Sequence, residues 1–207
     1  MTPSGDAVLR RVLERHRTLG SLGRAPVDAH LQQGAAIAGL IGPRADTVVD
    51  LGSGGGVPGL VVGALVSCRL VLVERRARRA DALELALTEL GWRDRAEVRT
   101  EDVTETARSE LRGTADVVLA RSFGPPATVV EHGAPLLAPG GRLLVTGPPA
   151  PPPWPADGLA LVGLGPLRWH RIDEHVVGVA TLVERSPERF PRRGDRPRRS
   201  PLFDVER

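Results

Sequence analysis

In the stretch VVDLGSGGGVPGLVVGA, residues 48–64, a carboxylate stands directly before four glycines in five positions, at the end of an apolar run. Glycines in such a place let the backbone approach a ligand closely, with their N–H groups facing it at the start of a helix. Gly54, Gly56 and Gly59 satisfy the spacing G-x-G-x-x-G of a dinucleotide site, so a nicotinamide or flavin enzyme is one reading. Asp50 speaks against it. A carboxylate at the strand end repels a pyrophosphate, whereas it attracts the ammonium group of S-adenosylmethionine, a ligand without phosphate. The pattern Asp50-x-Gly52-x-Gly54-x-Gly56, with Ser53 between the first two glycines, fits that second ligand better.

Glu74 closes the next apolar run, 22 residues after Gly52, where an acidic side chain can accept the ribose hydroxyls of an adenosine. Both candidate ligands carry that ribose, so Glu74 supports adenosine without choosing between them. Each acid also has a structural alternative. Glu74 can pair with Arg75, Arg78 or Arg79, and Asp50 can cap a helix or brace the loop.

These residues need elements to hold them. Helical spacing of apolar residues predicts a helix from Asp6 to about Leu19 and a second from Val27 to Ile41. TVVDLG (47–52) reads as a buried strand, and PGLVVGALV starts a helix with Pro58 in its first turn. RLVLVE (69–74), AEVRT (96–100), ADVVLAR (115–121) and GRLLVTG (141–147) read as further strands, with helices over 77–91, 103–111 and 127–137 between them. The proline-rich 147–158 is a loop, and 159–165 with 175–185 reads as a terminal antiparallel hairpin. Alternating helices and apolar strands imply a parallel sheet covered on both faces. The expected fold is therefore α/β: a class I, Rossmann-like methyltransferase arrangement with a mostly parallel seven-stranded sheet. One domain is expected over 1–207, made of a helical cap (1–41), a core (46–183) and a basic tail (184–207).

Composition narrows the setting. The single cysteine, Cys68, allows neither an internal disulfide nor a thiolate metal cluster, and no metal site is expected. No apolar run approaches a membrane span and the N-terminus lacks a signal-peptide core, which places the expected protein in the cytoplasm, away from membranes; it is expected to be a monomer. All 28 basic residues are arginine. Contacts to phosphates or base edges must then come from that planar fork. From Arg185 to Arg207 the chain holds eight arginines against four acids, broken by prolines that oppose a regular helix.

The residues resemble the RsmG (GidB) enzymes, which methylate a guanine N7 of 16S ribosomal RNA using S-adenosylmethionine. The resemblance runs from about His30 to Leu202 and rests on DLGSGGGVPG (50–59), DVVLARSF (116–123) and RFPRRGDRPRRSPL (189–202). It implies that Gly52, Val57 and the backbone around Asp102 and Val103 line the cofactor, with Arg121 at the edge of that pocket. The chain departs from the family at several places. The family's W-N-x-x-x-N-L-T segment is missing, its R-H-[IFL]-x-D-S is Ala29 to Gly34 here, and Glu101-Asp102-Val103 stands for its third-strand R-[AV]-E. Its lysine after the fifth strand is Thr146.

Guanine N7 has an in-plane lone pair and no proton, so it attacks a methyl group without a general base, and alignment carries the rate. That agrees with five scattered histidines and no catalytic triad. Arg121, at the end of the fourth strand, is the candidate catalytic residue, donating to guanine O6 and leaving N7 open. Its structural alternative is an ion pair, for instance with Glu131. Arg192, Arg193, Arg196, Arg198 and Arg199 are candidate contacts to the phosphates of 16S rRNA or the small ribosomal subunit. Trp154 and Trp169 offer a stacking surface or cover a core edge. A small-molecule methyltransferase and a non-catalytic binder of cofactor or RNA are the competing readings.

Overall fold

The structure, a computed structural model, describes residues 3–205, so positions 1–2 of the expected cap and 206–207 of the expected tail lie outside it. Seven strands form a mixed sheet, mostly parallel with an antiparallel end. By backbone contacts the chain divides into two compact units, 1–102 and 103–207.

The first unit contains α1 (Pro3–Thr18), α2 (Val27–Ile41), β1 (Arg44–Leu51), α3 (Gly59–Leu65), β2 (Ser67–Val73), α4 (Ala77–Leu90) and β3 (Ala96–Arg99). β1 pairs parallel with β2, and β2 with β3. Val48 to Leu51 and Leu70 to Val73 are all buried, as strands covered on both faces must be. Helix α4 buries Ala80, Leu83, Ala86 and Leu87, one stripe at helical spacing. It stops at Gly91, whose φ of 69° closes the last turn in the left-handed conformation.

The second unit contains α5 (Val103–Thr106), β4 (Ala115–Ala120), α6 (Pro126–Gly133), β5 (Leu137–Gly147), α7 (Ala156–Ala160), β6 (Arg168–Ile172), β7 (His175–Thr181) and the single turn α8 (Arg196–Arg199). β4 and β5 run parallel, while β5–β7 and β6–β7 are antiparallel. Three local expectations are corrected. The helix expected over 103–111 is only the short α5, and 127–137 ends in a 3-10 turn at Ala134–Leu136. The hairpin partner of β7 is β6, not 159–165: that segment is a helical turn and loop whose Leu159, Val162 and Leu164 sink into the core. β6 is an edge strand with mostly exposed side chains, so it is polar and lacks the apolar run expected of a strand. The tail prolines also admit a helical turn, because Pro197 sits in its first positions, where a missing N–H costs nothing. No helix among the described residues is long and apolar enough to cross a membrane.

Candidate active site

In the first unit the chain leaves β1 through Gly52, Gly54 and Gly56 with φ of 64°, 56° and 84°. Side chains rarely adopt that conformation, which is why the sequence has glycine there. Two buried carboxylates brace the loop. Asp50, 1% exposed, accepts from the Gly59 N–H through Oδ2 at 3.2 Å. A Cβ on Gly59 would stand 2.6 Å from that oxygen, so the approach requires glycine. Asp50 thus takes the bracing role at the start of α3.

Glu74, 5% exposed, accepts from the Gly54 N–H at 3.0 Å and the Arg76 N–H at 2.9 Å. Its partners are backbone groups and not the neighbouring arginines. A carboxylate has about four acceptor sites, so about two remain for hydroxyl donors. Ser53 is buried, its N–H donating to the Val73 carbonyl and its hydroxyl to the Asp50 carbonyl. The Gly56 N–H donates to the Ser53 carbonyl at 2.7 Å. The N–H groups of Ser53, Gly54, Gly56 and Gly59 are therefore all used inside the protein. A pyrophosphate would need such donors. This loop offers instead a compact cradle with two acids beneath it, suited to a cation and a ribose.

Val57 is buried beside the loop. Asp102 is exposed at the end of the unit, 3.7 Å from Arg75 Nη1. An open recess of about 600 Å³ lies at the amino ends of β1 to β3, edged by Arg44, Arg69, Arg93 and Arg95. Ligands of open α/β sheets bind at the carboxyl ends. Three of these arginines are also engaged, Arg69 by Glu97, Arg93 by Glu84 and Arg95 by the Gly63 and Cys68 carbonyls.

In the second unit Val103 is buried at the head of α5, and Arg121 follows β4, partly exposed. Ser122 has a φ of 52°, strained for a serine, directly after Arg121. A cavity of about 870 Å³ opens at the carboxyl ends of β4 and β5, lined among others by Ser122, Phe123, Thr146, Trp154, Trp169 and Phe203. Trp154 meets Trp169 edge to face at 5.8 Å and Phe203 at 6.4 Å. Trp169 Nε1–H donates to the Pro152 carbonyl.

The tail forms part of this cavity. Buried Glu131 of α6 accepts from Arg192 three times, from its backbone N–H at 2.8 Å, Nε–H at 2.8 Å and an Nη2–H at 2.7 Å. The carboxylate holds the Arg192 guanidinium above its ordinary pKa, burial opposing it more weakly. Arg108 and Arg112 donate to the carbonyls of Pro191, Phe190, Ser186 and Pro187, which fastens the tail to the unit. Arg198 then reaches the cavity wall, while Arg193, Arg196 and Arg199 are exposed. Sequence reasoning missed this cavity: its aromatic wall joins three distant segments, and only the pairing of β6 with β7 brings Trp169 into place.

The model of the family described as rRNA small subunit methyltransferase G matches residues 24–147. A protein of that name from Synechococcus sp. (strain CC9311) is 41% identical over 99 residues, 47% of this chain and 39% of the relative. The one from Acidothermus cellulolyticus is 38% identical over 131 residues, 60% of this chain and 55% of the relative. The chain thus spans about half the length of the curated relatives it matches. Among solved structures, a methyltransferase from Geobacter sulfurreducens superposes with a TM-score of 0.62 at 17% identity, covering 89% of this chain and 92% of the other. An RNA methyltransferase from Salinibacter ruber, in complex with S-adenosylhomocysteine, gives 0.54 at 20% identity, covering 76% and 93%. These likenesses establish the Rossmann-like methyltransferase fold.

Proposed function

The chain belongs to the rRNA small subunit methyltransferase G (GidB) family, and on that premise we propose that it transfers a methyl group from S-adenosylmethionine to a guanine N7 of 16S ribosomal RNA. The observation that carries the cofactor is the glycine loop, whose Ser53, Gly54, Gly56 and Gly59 N–H groups are spent on Asp50, Glu74 and backbone carbonyls. Such a loop disfavours pyrophosphate and favours a cationic amino acid joined to an adenosine. In this reading Gly52, Ser53, Gly54 and Val57 form the cradle, with Asp50 beneath it. Glu74 takes the ribose hydroxyls, and the chain around Asp102 and Val103 borders the adenine. Residues 1–207 act as one methyltransferase domain, a cytoplasmic monomer working on the small ribosomal subunit.

The chemistry asks little of acids and bases. N7 attacks with its own lone pair as the sulfur departs with the bonding electrons, and in-line alignment lowers the barrier. Arg121 donates to O6, which orients the base without occupying N7. Glu131, the ion-pair partner considered for Arg121, is occupied by Arg192. Of the five tail arginines, Arg193, Arg196, Arg198 and Arg199 are the ones exposed for phosphates, and Arg192 acts by fixing the tail. A second reading, a small-molecule acceptor, is favoured by the aromatic cavity walled by Trp154, Trp169 and Phe203.

Calorimetry separates the cofactor classes. S-adenosylhomocysteine should bind and NAD should not. Binding of NAD with no response to S-adenosylhomocysteine would end the methyltransferase reading.

A further inference from the structure

Helix α1 and the turn after it lie on the glycine loop. His16 Nδ1 is 3.0 Å from the Gly55 carbonyl oxygen. A carbonyl only accepts, so Nδ1 carries the proton. The ring is fully buried, and its Nε2 has no hydrogen-bond partner among the described residues. Burial favours the neutral Nδ1–H tautomer, because a second proton on Nε2 would bring a charge into the interior. The next residues complete a strap. The N–H groups of Ser21 and Leu22 both return to the His16 carbonyl. A Cβ at Gly55 would stand 2.8 Å from Leu22 Cβ and 2.9 Å from the Ser21 carbonyl oxygen, so the strap touches the loop backbone directly.

We propose that His16 is a positioning residue for the cofactor: its Nδ1–H fixes Gly55, and through it the 54–57 backbone, in the binding conformation, and an uncharged ring keeps this buried place. The inference rests on the reading that this loop holds S-adenosylmethionine. The charged groups facing the ring are Arg15 of α1 and Glu89 of α4, which are paired with each other. Arg11 also reaches Glu89, at 3.5 Å. Helix α3 has no ionisable side chain; on α2, Asp28 is taken by Arg10 and His30 lies on the Gly23 carbonyl. Burial lowers the His16 pKa, the Gly55 carbonyl opposes this, Arg15 lowers it further, and the Ala82 backbone and Glu89 raise it again without reversing the shift. An imidazolium keeps its Nδ1–H, but its charge favours leaving the interior; with the folded value depressed, the buried hold is complete above the ordinary value of 6.5 and is lost as pH falls through the lowered one.

The test is calorimetric titration of the full chain with S-adenosylhomocysteine from about pH 5 to 8, where the ligand's ammonium and carboxylate keep their charges. His16→Asn keeps a donor where Nδ1 stands and does not titrate, and His16→Phe keeps a ring without the donor. The wild type should bind more weakly on the acid side. The asparagine variant should match its affinity at pH 8 and lose the acid limb. The phenylalanine variant should bind roughly tenfold more weakly throughout. If the wild type does not bind at all, the cofactor reading fails and this inference with it. If the wild type binds and the asparagine variant keeps the same acid limb, the inference is overturned, whether or not the phenylalanine variant folds. Wild-type affinity in a folded phenylalanine variant would overturn it equally.

Discussion

Asp50 stands where a carboxylate can do two things, and its burial decides how they combine. Its Oδ2 holds the first N–H of α3, while its charge lies under a loop whose Ser53, Gly54 and Gly56 N–H groups bond within the protein. Asp50→Ala would leave the Gly59 N–H without that acceptor and remove the charge together. Affinity for S-adenosylhomocysteine should then fall by ~1.5 to 3 kcal/mol, the range for hydrogen bonds to charged groups. Unchanged affinity in a folded variant, measured by calorimetry, would show that the cradle does not need the acid. At this scale the sequence was legible where conformation dictates residue type. Gly54 and Gly56 have positive φ, so only a few residue types fit, and the motif survives as a readable pattern. The use of Glu74 and His16 was not legible. Both bind backbone groups, and a carbonyl or N–H partner leaves no mark in the sequence.

The elements of the first unit follow their periodicity closely. Strands buried on both faces are continuous apolar runs, and α4 shows one apolar stripe ended by a glycine. The second unit was harder to read at its end. Leu159, Val162 and Leu164 are buried from a turn, and an apolar run of that length does not distinguish strand from turn. The tail was legible as a charge run, but the fate of its charges depended on Glu131, fully buried on a helix some sixty residues earlier. Removing one member of a buried pair strands the other. Arg192→Ala should therefore lower the unfolding free energy by about 3 kcal/mol in a urea titration. Adding Glu131→Leu should restore part of the loss, since the stranded charge goes with it. A single variant as stable as the wild type would mean that the tail is fastened by Arg108 and Arg112 alone.

At the scale of the whole molecule, the net charge of +3 is too small to announce a nucleic acid partner. The distribution is more informative: exposed Arg193, Arg196, Arg198 and Arg199 gather in one short stretch that the Glu131–Arg192 pair holds against its unit. Position is then fixed for cations that would otherwise sample a wide volume, which suits them to a phosphate backbone of defined shape. The same segment contributes Phe203 to the cavity at the ends of β4 and β5, so the exposed arginines and one wall of the cavity belong to one piece of chain. The direct measurement is transfer of a labelled methyl group from S-adenosylmethionine to small ribosomal subunits that lack the modification, followed by nucleoside analysis. The expected result is label in 16S ribosomal RNA, recovered as N7-methylguanosine and reduced by Asp50→Ala at limiting S-adenosylmethionine. A protein that binds S-adenosylhomocysteine yet places no label in subunits or in their naked RNA would contradict the ribosomal substrate.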